Sequence, residues 1–283
     1  MLTLTSTNVI KELLSRHGIV LTKARGQNFL TNPSVCPRMA EECGATELDG
    51  VIEIGPGIGV LTAELAKVAK KVVAIELDSG LIPVLSETMG DFDNVKVIHA
   101  DAMKLDLNKL IEEEFPDMKV YLCANLPYYI TTPIIMKLLE DKLPLEAITV
   151  MVQKEFAQRM CAPVGSRQSG AVTVATAYYA ECERLFTVAP TSFFPPPKVD
   201  SEVMRLIPHK QPPVSVKNEK NLFTFIKSGF AQRRKTLSNA LFSGAGVDKE
   251  KTVSALEKMG LNPCARIEEL TLAQMAELVD EIF

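Results

Sequence analysis

The string Glu53-Ile54-Gly55-Pro56-Gly57-Ile58-Gly59 follows an apolar run and opens a helical pattern. Glycine in such a turn lets the backbone bend sharply and leaves no Cβ in the way of a nucleotide-like ligand lying over the strand end. Similar turns serve dinucleotides, whose fingerprint needs a glycine three positions after the second one, and Val60 stands there. Glu53, just ahead of the turn, would repel a pyrophosphate but suits a sulfonium ligand with a cationic amino acid end. S-adenosylmethionine therefore fits the turn, built on Gly55 and Gly57, better than a dinucleotide does.

Glu76 ends the next apolar run, where a carboxylate can accept both hydroxyls of a ribose. Asp101 ends the third, placed to accept a hydrogen bond from an adenine amino group. Either acid alone is also readable as an exposed strand end. Asn125-Leu126-Pro127-Tyr128-Tyr129 closes the fourth run. An exocyclic adenine amine is a poor nucleophile because its lone pair is delocalised into the ring. An Asn side-chain oxygen and a backbone carbonyl held out by the following proline would favour a pyramidal nitrogen, and an aromatic ring would stack on an extruded base. The bland alternative is a proline turn with two half-buried tyrosines.

These residues need elements to hold them. Apolar runs of strand length at 51–55, 71–77, 95–101, 119–126 and 148–153 alternate with amphipathic stretches at 60–70, 79–89 and 132–141. That alternation implies right-handed crossovers and a doubly wound, mostly parallel α/β sheet. Two further strands, 183–188 and 202–209, flank a proline-rich loop at 189–201, giving seven in all. The segment 208–213 carries three prolines and reads as a linker. Beyond it, helical periodicity covers 218–234, 236–244 ending at Gly244, 248–260 between Asp248 and Gly260, and 271–283. The expected organisation is a sheet domain over 1–210, with an N-terminal helical extension at 1–22, and a small all-helical domain over 211–283.

No apolar run reaches the roughly 18 residues a membrane-spanning helix needs, and the charged N-terminus is unlike a signal peptide, so a cytoplasmic protein is expected. The six cysteines show no C-x-x-C spacing and read as reduced, and the three histidines match no metal-ligand spacing, so no metal is expected. A net charge of −4 is unfavourable for contact with phosphates, but Lys23, Arg25, Arg159, Arg167, Arg233, Arg234 and Lys235 are readable as one local basic surface. The alternative is ordinary solvated charge. No heptad seam is present, which favours a monomer.

The segments KARGQNFL (23–30), EIGPGIGVLT (53–62), IELD (75–78), HADAM (99–103), NLPYYI (125–130), MVQKEFAQRM (151–160), FFPPPKVDS (193–201) and FAQRRKTLSNAL (230–241) together resemble the bacterial small-subunit (16S) ribosomal RNA adenine N6,N6-dimethyltransferases. The resemblance runs from about residue 20 to the tail. It implies a Rossmann-like methyltransferase fold, use of S-adenosylmethionine with release of S-adenosylhomocysteine, and a substrate of two adjacent adenosines in the 3′-terminal hairpin loop of the small-subunit RNA. It places the reaction late in small-subunit assembly, on a pre-30S particle, with the helical tail as the RNA-recognition part. Carried onto this sequence, it implies that Gln27, Asn28 and Leu30 close over the cofactor, Gly55 lines its amino acid end, Glu76 holds the ribose and Asp101 the adenine. Asn125, which is also assigned to the cofactor site, and the Leu126 carbonyl would hold the target amine, and Tyr128 and Phe193 would sandwich the base, with Phe194 the alternative to Phe193. A related enzyme that dimethylates one adenine of large-subunit RNA shares these motifs, but the length and the FAQRRKTLSNAL tail favour the small-subunit type. A third reading makes the protein chiefly an assembly or transcription factor on a methyltransferase scaffold.

Overall fold

The computed structural model describes residues 2–19 and 28–283. Lys23, Arg25 and Gln27 lie outside the described residues. The chain divides into two compact units, one of residues 1–157 and 183–208, the other of 158–182 and 209–283. The helical unit thus takes in a segment, 158–182, that periodicity alone does not mark as belonging with the tail.

In chain order the first unit begins with α1 (Thr7–Arg16), β1 (Phe29–Leu30) and α2 (Val35–Cys43). Strands and helices then alternate as β2 (Gly50–Ile54), α3 (Val60–Val68), β3 (Lys71–Glu76), α4 (Ile82–Thr88), β4 (Val95–His99), α5 (Leu107–Glu114), β5 (Val120–Asn125), α6 (Thr131–Glu140) and β6 (Leu145–Gln153). After α7 (Lys154–Met160) and α8 (Ala171–Tyr179) come β7 (Ala180–Val188), β8 (Phe193–Phe194) and β9 (Ser201–Pro208). The main sheet has seven strands in the order β4-β3-β2-β5-β6-β9-β7. From β4 to β6 the pairings are parallel, and β9 joins β6 antiparallel. This is the Rossmann-like, doubly wound α/β fold that the alternation predicts.

Burial explains why these runs are strands of a covered sheet. Every residue of β2 is buried and β3 is buried from Val72 onward, as strands sandwiched between helical layers must be. Gly50 marks the close approach of α5: a Cβ there would lie 2.1 Å from the Phe115 ring. The parallel register pairs Ile54 with Ile75 and Glu76 with His99, so the carboxyl ends of neighbouring strands finish nearly level. Strand order reverses between β2 and β5, which opens a crevice above those ends.

Two local expectations shift. Helix α4 starts at Ile82 instead of near 79, because Asp78 organises a turn in which its side chain accepts the Gly80 N–H and its carbonyl the Leu81 N–H. The loop at 189–201 contains a strand: Phe194 pairs with Phe29 and Phe193 with Leu30 in a small antiparallel ladder between β1 and β8.

In the second unit, α9 (Glu219–Ala231), α10 (Leu237–Ala245), α11 (Lys249–Lys258) and α12 (Leu272–Ile282) follow the periodic stretches of the tail. The end of α10 differs from expectation. Gly246, at φ 71°, caps it, whereas Gly244 sits inside the helix and lets it pack tightly on α9: a Cβ there would lie 2.7 Å from Ser228. Asp248 caps α11 by accepting the Lys251 N–H at 2.9 Å. Tyr179 of α8 stacks on Phe223 of α9 at 5.3 Å and donates to Glu219 at 2.7 Å.

The expectation that all six cysteines are reduced is corrected at one pair. Cys161, just past α7, and Cys182, at the start of β7, form a disulfide with Cα atoms 5.2 Å apart. The chain doubles back between them and brings both within bonding geometry, which no sequence spacing reveals. Cys36, Cys43 and Cys123 are buried thiols and Cys264 is exposed. Among the described residues, no helix is long and apolar enough to cross a membrane, and no cluster of His, Cys, Asp and Glu has metal-binding geometry.

Candidate active site

A cavity of about 400 Å³ lies over the carboxyl ends of β2, β3 and β5 in the first unit. Among the described residues it brings together Asn28, Leu30, Glu53, Gly55, Gly57, Glu76, Asp101, Asn125, Leu126, Tyr128 and Phe193. Among the described residues its charged lining is all acidic, with Glu53, Glu76, Asp78 and Asp101 and no lysine, arginine or histidine. Such a field favours a cationic ligand and opposes a phosphate.

The glycine turn shapes one wall. Gly57 has φ 63°, a left-handed conformation that suits glycine, and a Cβ there would already touch the Phe29 ring at 3.4 Å. Its N–H donates to Glu76 Oε2 at 3.2 Å, while the Asp78 N–H donates to Oε1 at 2.7 Å. Glu76 is 6% exposed, and burial raises its pKa against the lowering effect of those two bonds. Backbone donors thus fix the carboxylate plane at the cavity wall.

Glu53 is deeper and less satisfied. It is 1% exposed, and its Oε2 has no hydrogen-bond partner among the described residues. Burial pushes its pKa up to about 8; the nearby Thr62 hydroxyl, short of good hydrogen-bond geometry, opposes the shift, and the Glu76 charge adds to it. An unpaired acid at the base of an acidic cavity is what a cationic ligand group would complete. Asp101 Oδ1 accepts the Met103 N–H at 2.9 Å, which orients the side chain at the cavity wall. The residues present therefore fit S-adenosylmethionine, with an orphaned carboxyl oxygen for its charged end and an anchored carboxylate for its ribose.

The opposite wall is the turn after β5. Leu126 is buried and its N–H donates to the Met151 carbonyl at 3.2 Å, which holds the turn against β6. The Pro127 carbonyl accepts the Thr131 hydroxyl at 3.1 Å, joining the turn to the first residue of α6. Tyr128 shares a 2.6 Å hydrogen bond between its hydroxyl and that of Ser201 in β9. Burial raises the Tyr128 pKa and the Ser201 bond lowers it. Between the two phenylalanines left open by the sequence, Phe193 is the one that lines the cavity; Phe194 instead carries Lys11 Nζ 5.2 Å over its ring.

Sequence reasoning missed the apolar part of the lining, including Ile58, Leu77, Leu81, Met103 and Ile134. Leu77 and Met103 stand one and two positions after the strand-end acids, a signal that was available. Outside this cavity, in the second unit, the basic run separates into two kinds of residue. Arg233 is tied to Glu268 at 3.5 Å and donates to the Arg167 carbonyl, whereas Arg234 and Lys235 are exposed.

Known proteins similar to this chain identify its family. The family model described as ribosomal RNA adenine dimethylase matches residues 21–283. The chain is 46% identical to "Ribosomal RNA small subunit methyltransferase A" of Geobacillus thermodenitrificans over 95% of its own length and 93% of that protein. It is 45% identical to the protein of the same name from Bacillus licheniformis, over 96% and 94% of the two chains. Among solved structures it is similar to a dimethyladenosine transferase from Plasmodium falciparum, with a TM-score of 0.73 and 28% identity over 88% of this chain and 95% of that one. It is also similar to the 23S rRNA methyltransferase ErmE, with a TM-score of 0.69 and 27% identity over 90% and 99%. Carrying the family's match across nearly its whole length and a cavity suited to a cationic donor, this chain belongs to the ribosomal RNA adenine dimethylase family.

Proposed function

We propose that this chain transfers methyl groups from S-adenosylmethionine to N6 of two adjacent adenosines in the 3′-terminal hairpin loop of 16S ribosomal RNA, giving dimethyladenosines on a pre-30S particle. The observation that carries the reading is a cavity whose one wall, among the described residues, holds four acidic side chains and no cation, and whose other wall is the Asn125–Tyr128 turn. The names of the curated relatives point to the small subunit, and they cover the tail as well as the sheet domain. We further take the protein to act as a cytoplasmic monomer.

When bound, S-adenosylmethionine supplies an electrophilic methyl group on a sulfonium. Glu76 would hold its ribose, Asp101 its adenine, and Glu53 with Gly55 and Gly57 its amino acid end, while Asn28 and Leu30, with Gln27 ahead of them, would close over it. On the acceptor side, Asn125 Oδ1 and the Leu126 carbonyl accept the two N–H groups of the target amine. Acceptors placed on one side of the base plane would draw the hydrogens together and free the nitrogen lone pair. Tyr128 and Phe193 clamp the base ring, and the apolar lining excludes water. After transfer the nitrogen sheds a proton readily, so no strong base is needed, and catalysis comes from alignment and electrostatic placement. The second methyl goes onto an amine with one N–H left, which Asn125 or the Leu126 carbonyl alone then holds. Lys23, Arg25, Arg234 and Lys235 are the proposed phosphate contacts.

The test is to mix the protein with tritiated donor and undermethylated small-subunit particles. Label should appear as dimethyladenosine at two neighbouring positions near the RNA 3′ end. Label confined to large-subunit RNA would move the assignment to the resistance-type relatives, and no label in either, with donor bound, would favour an assembly role.

A further inference from the structure

The turn after β5 carries two tyrosines in unlike settings. Tyr128 is half-buried and anchored through its hydroxyl to Ser201 at 2.6 Å. Tyr129 is 66% exposed and lines the same cavity, and its hydroxyl has no partner among the described residues. It is the one exposed tyrosine among the described residues. Leu77, 56% exposed, is the other large apolar side chain that is both exposed and part of this cavity lining. An aromatic ring exposed on the lining of a proposed base-binding cavity, with no ring or cation against its face among the described residues, has the character of a stacking platform.

We propose that Tyr129 stacks on the purine next to the one held in the cavity, and so makes the enzyme read a pair of adjacent adenosines instead of a single one. The inference rests on the base-binding reading given above. Extruding one base into the cavity strips its neighbour of a stacking partner, and that loss is part of what base flipping costs. Tyr129 is one residue from Tyr128, which holds the flipped base, so its ring is within a nucleotide's reach of the vacated stack. The ring has no hydrogen-bond code, so it accepts an adenine before or after methylation. Because dimethyladenine is larger and more apolar than adenine, the platform would hold the modified base at least as well while the second adenosine takes its place in the cavity. Tyr129 is on this account a positioning residue and touches neither donor nor target amine.

The test compares wild type with Tyr129→Ala, Tyr129→Phe and Tyr129→Trp on undermethylated small-subunit particles, following each adenosine separately by the block that dimethylation imposes on reverse transcription. Tyr129→Ala should lose about tenfold in kcat/KM, the size expected for one base–aromatic stack. The loss should fall mainly on KM and on the adenosine modified second, while Tyr129→Phe and Tyr129→Trp stay within about twofold of wild type. Calorimetric donor affinity, unchanged in all variants, reports that the fold is intact. Equal rates for Tyr129→Ala and wild type overturn the inference, as does a Tyr129→Phe defect matching that of Tyr129→Ala, which would place the effect in the hydroxyl. Should wild type itself leave both adenosines unmodified, the proposed function fails and this inference with it, an outcome separate from the other two.

Discussion

The two walls of the cavity are built by different means. The proposed donor wall takes one acid or glycine turn from each of several parallel strand ends, and backbone N–H groups fix its key carboxylate, Glu76. The acceptor wall is assembled from side chains far apart in the chain, with Tyr128 held by Ser201 and Phe193 carried in by the β1–β8 ladder. One wall is thus a property of the sheet and the other of a few long-range contacts. Changes on the donor wall should act on affinity, and changes on the acceptor wall on rate.

The sharpest way to break that division is Asn125→Ala. It should lower the transfer rate by roughly 10²- to 10³-fold, the cost of removing a preorganised polar contact to the reacting group, with a much smaller effect on donor affinity. Rate measured under saturating donor, beside calorimetric Kd, checks this; an equal loss in both would show that Asn125 belongs to the donor wall. Next in size, Glu76→Ala should weaken donor binding by about 10- to 100-fold, because a charged acceptor of the ribose hydroxyls is lost and two backbone N–H groups lose their partner. If donor affinity stays within a factor of two, the strand-end acid is only structural.

The third effect is a pH dependence confined to the donor wall. The Glu53 carboxyl titrates near 4.5 when exposed and near 8 when folded. Between those values the folded protein keeps a proton that the unfolded chain has released, so stability in the absence of donor falls as pH rises from about 4.5 to about 8. Glu53→Gln should lack this component. Its stability relative to wild type should therefore climb across that window and level off above it, as denaturant unfolding at several pH values would report. A constant difference from pH 5 to 8.5 would mean that Glu53 ionises freely in the folded protein. The smallest effect is on the acceptor wall: Tyr128→Phe keeps the ring and loses the Ser201 bond, costing about 1 kcal/mol of stability. Thermal unfolding checks the cost, and a retained transfer rate checks that the ring, not the hydroxyl, holds the base.

What could be read from the sequence follows the same division. The glycine turn, Glu76, Asp101 and Asn125 stand at the ends of apolar runs, and a parallel sheet in register places all such ends on one side. Local pattern was therefore enough to gather them. The β1–β8 ladder has two residues on each strand and joins segments more than 150 positions apart, too short for any periodicity to betray. The Ser201 partner of Tyr128 and the Cys161–Cys182 bond are likewise products of chain return. Helix α8 escaped for another reason. Its sequence, AVTVATAYY, is apolar on nearly every side, so it lacks the polar face that marks an amphipathic helix.

The β1–β8 ladder has a consequence for the order of events. It fastens Leu30, on the proposed donor side, directly to Phe193, on the proposed base side, across hydrogen-bonded backbones. Occupancy of one half of the cavity should then bear mechanically on the other. Linkage then demands symmetry: by whatever factor a loaded donor tightens the grip on RNA, RNA must tighten the grip on the donor, and the exchanged thioether product, lacking the positive sulfur, should loosen both at once.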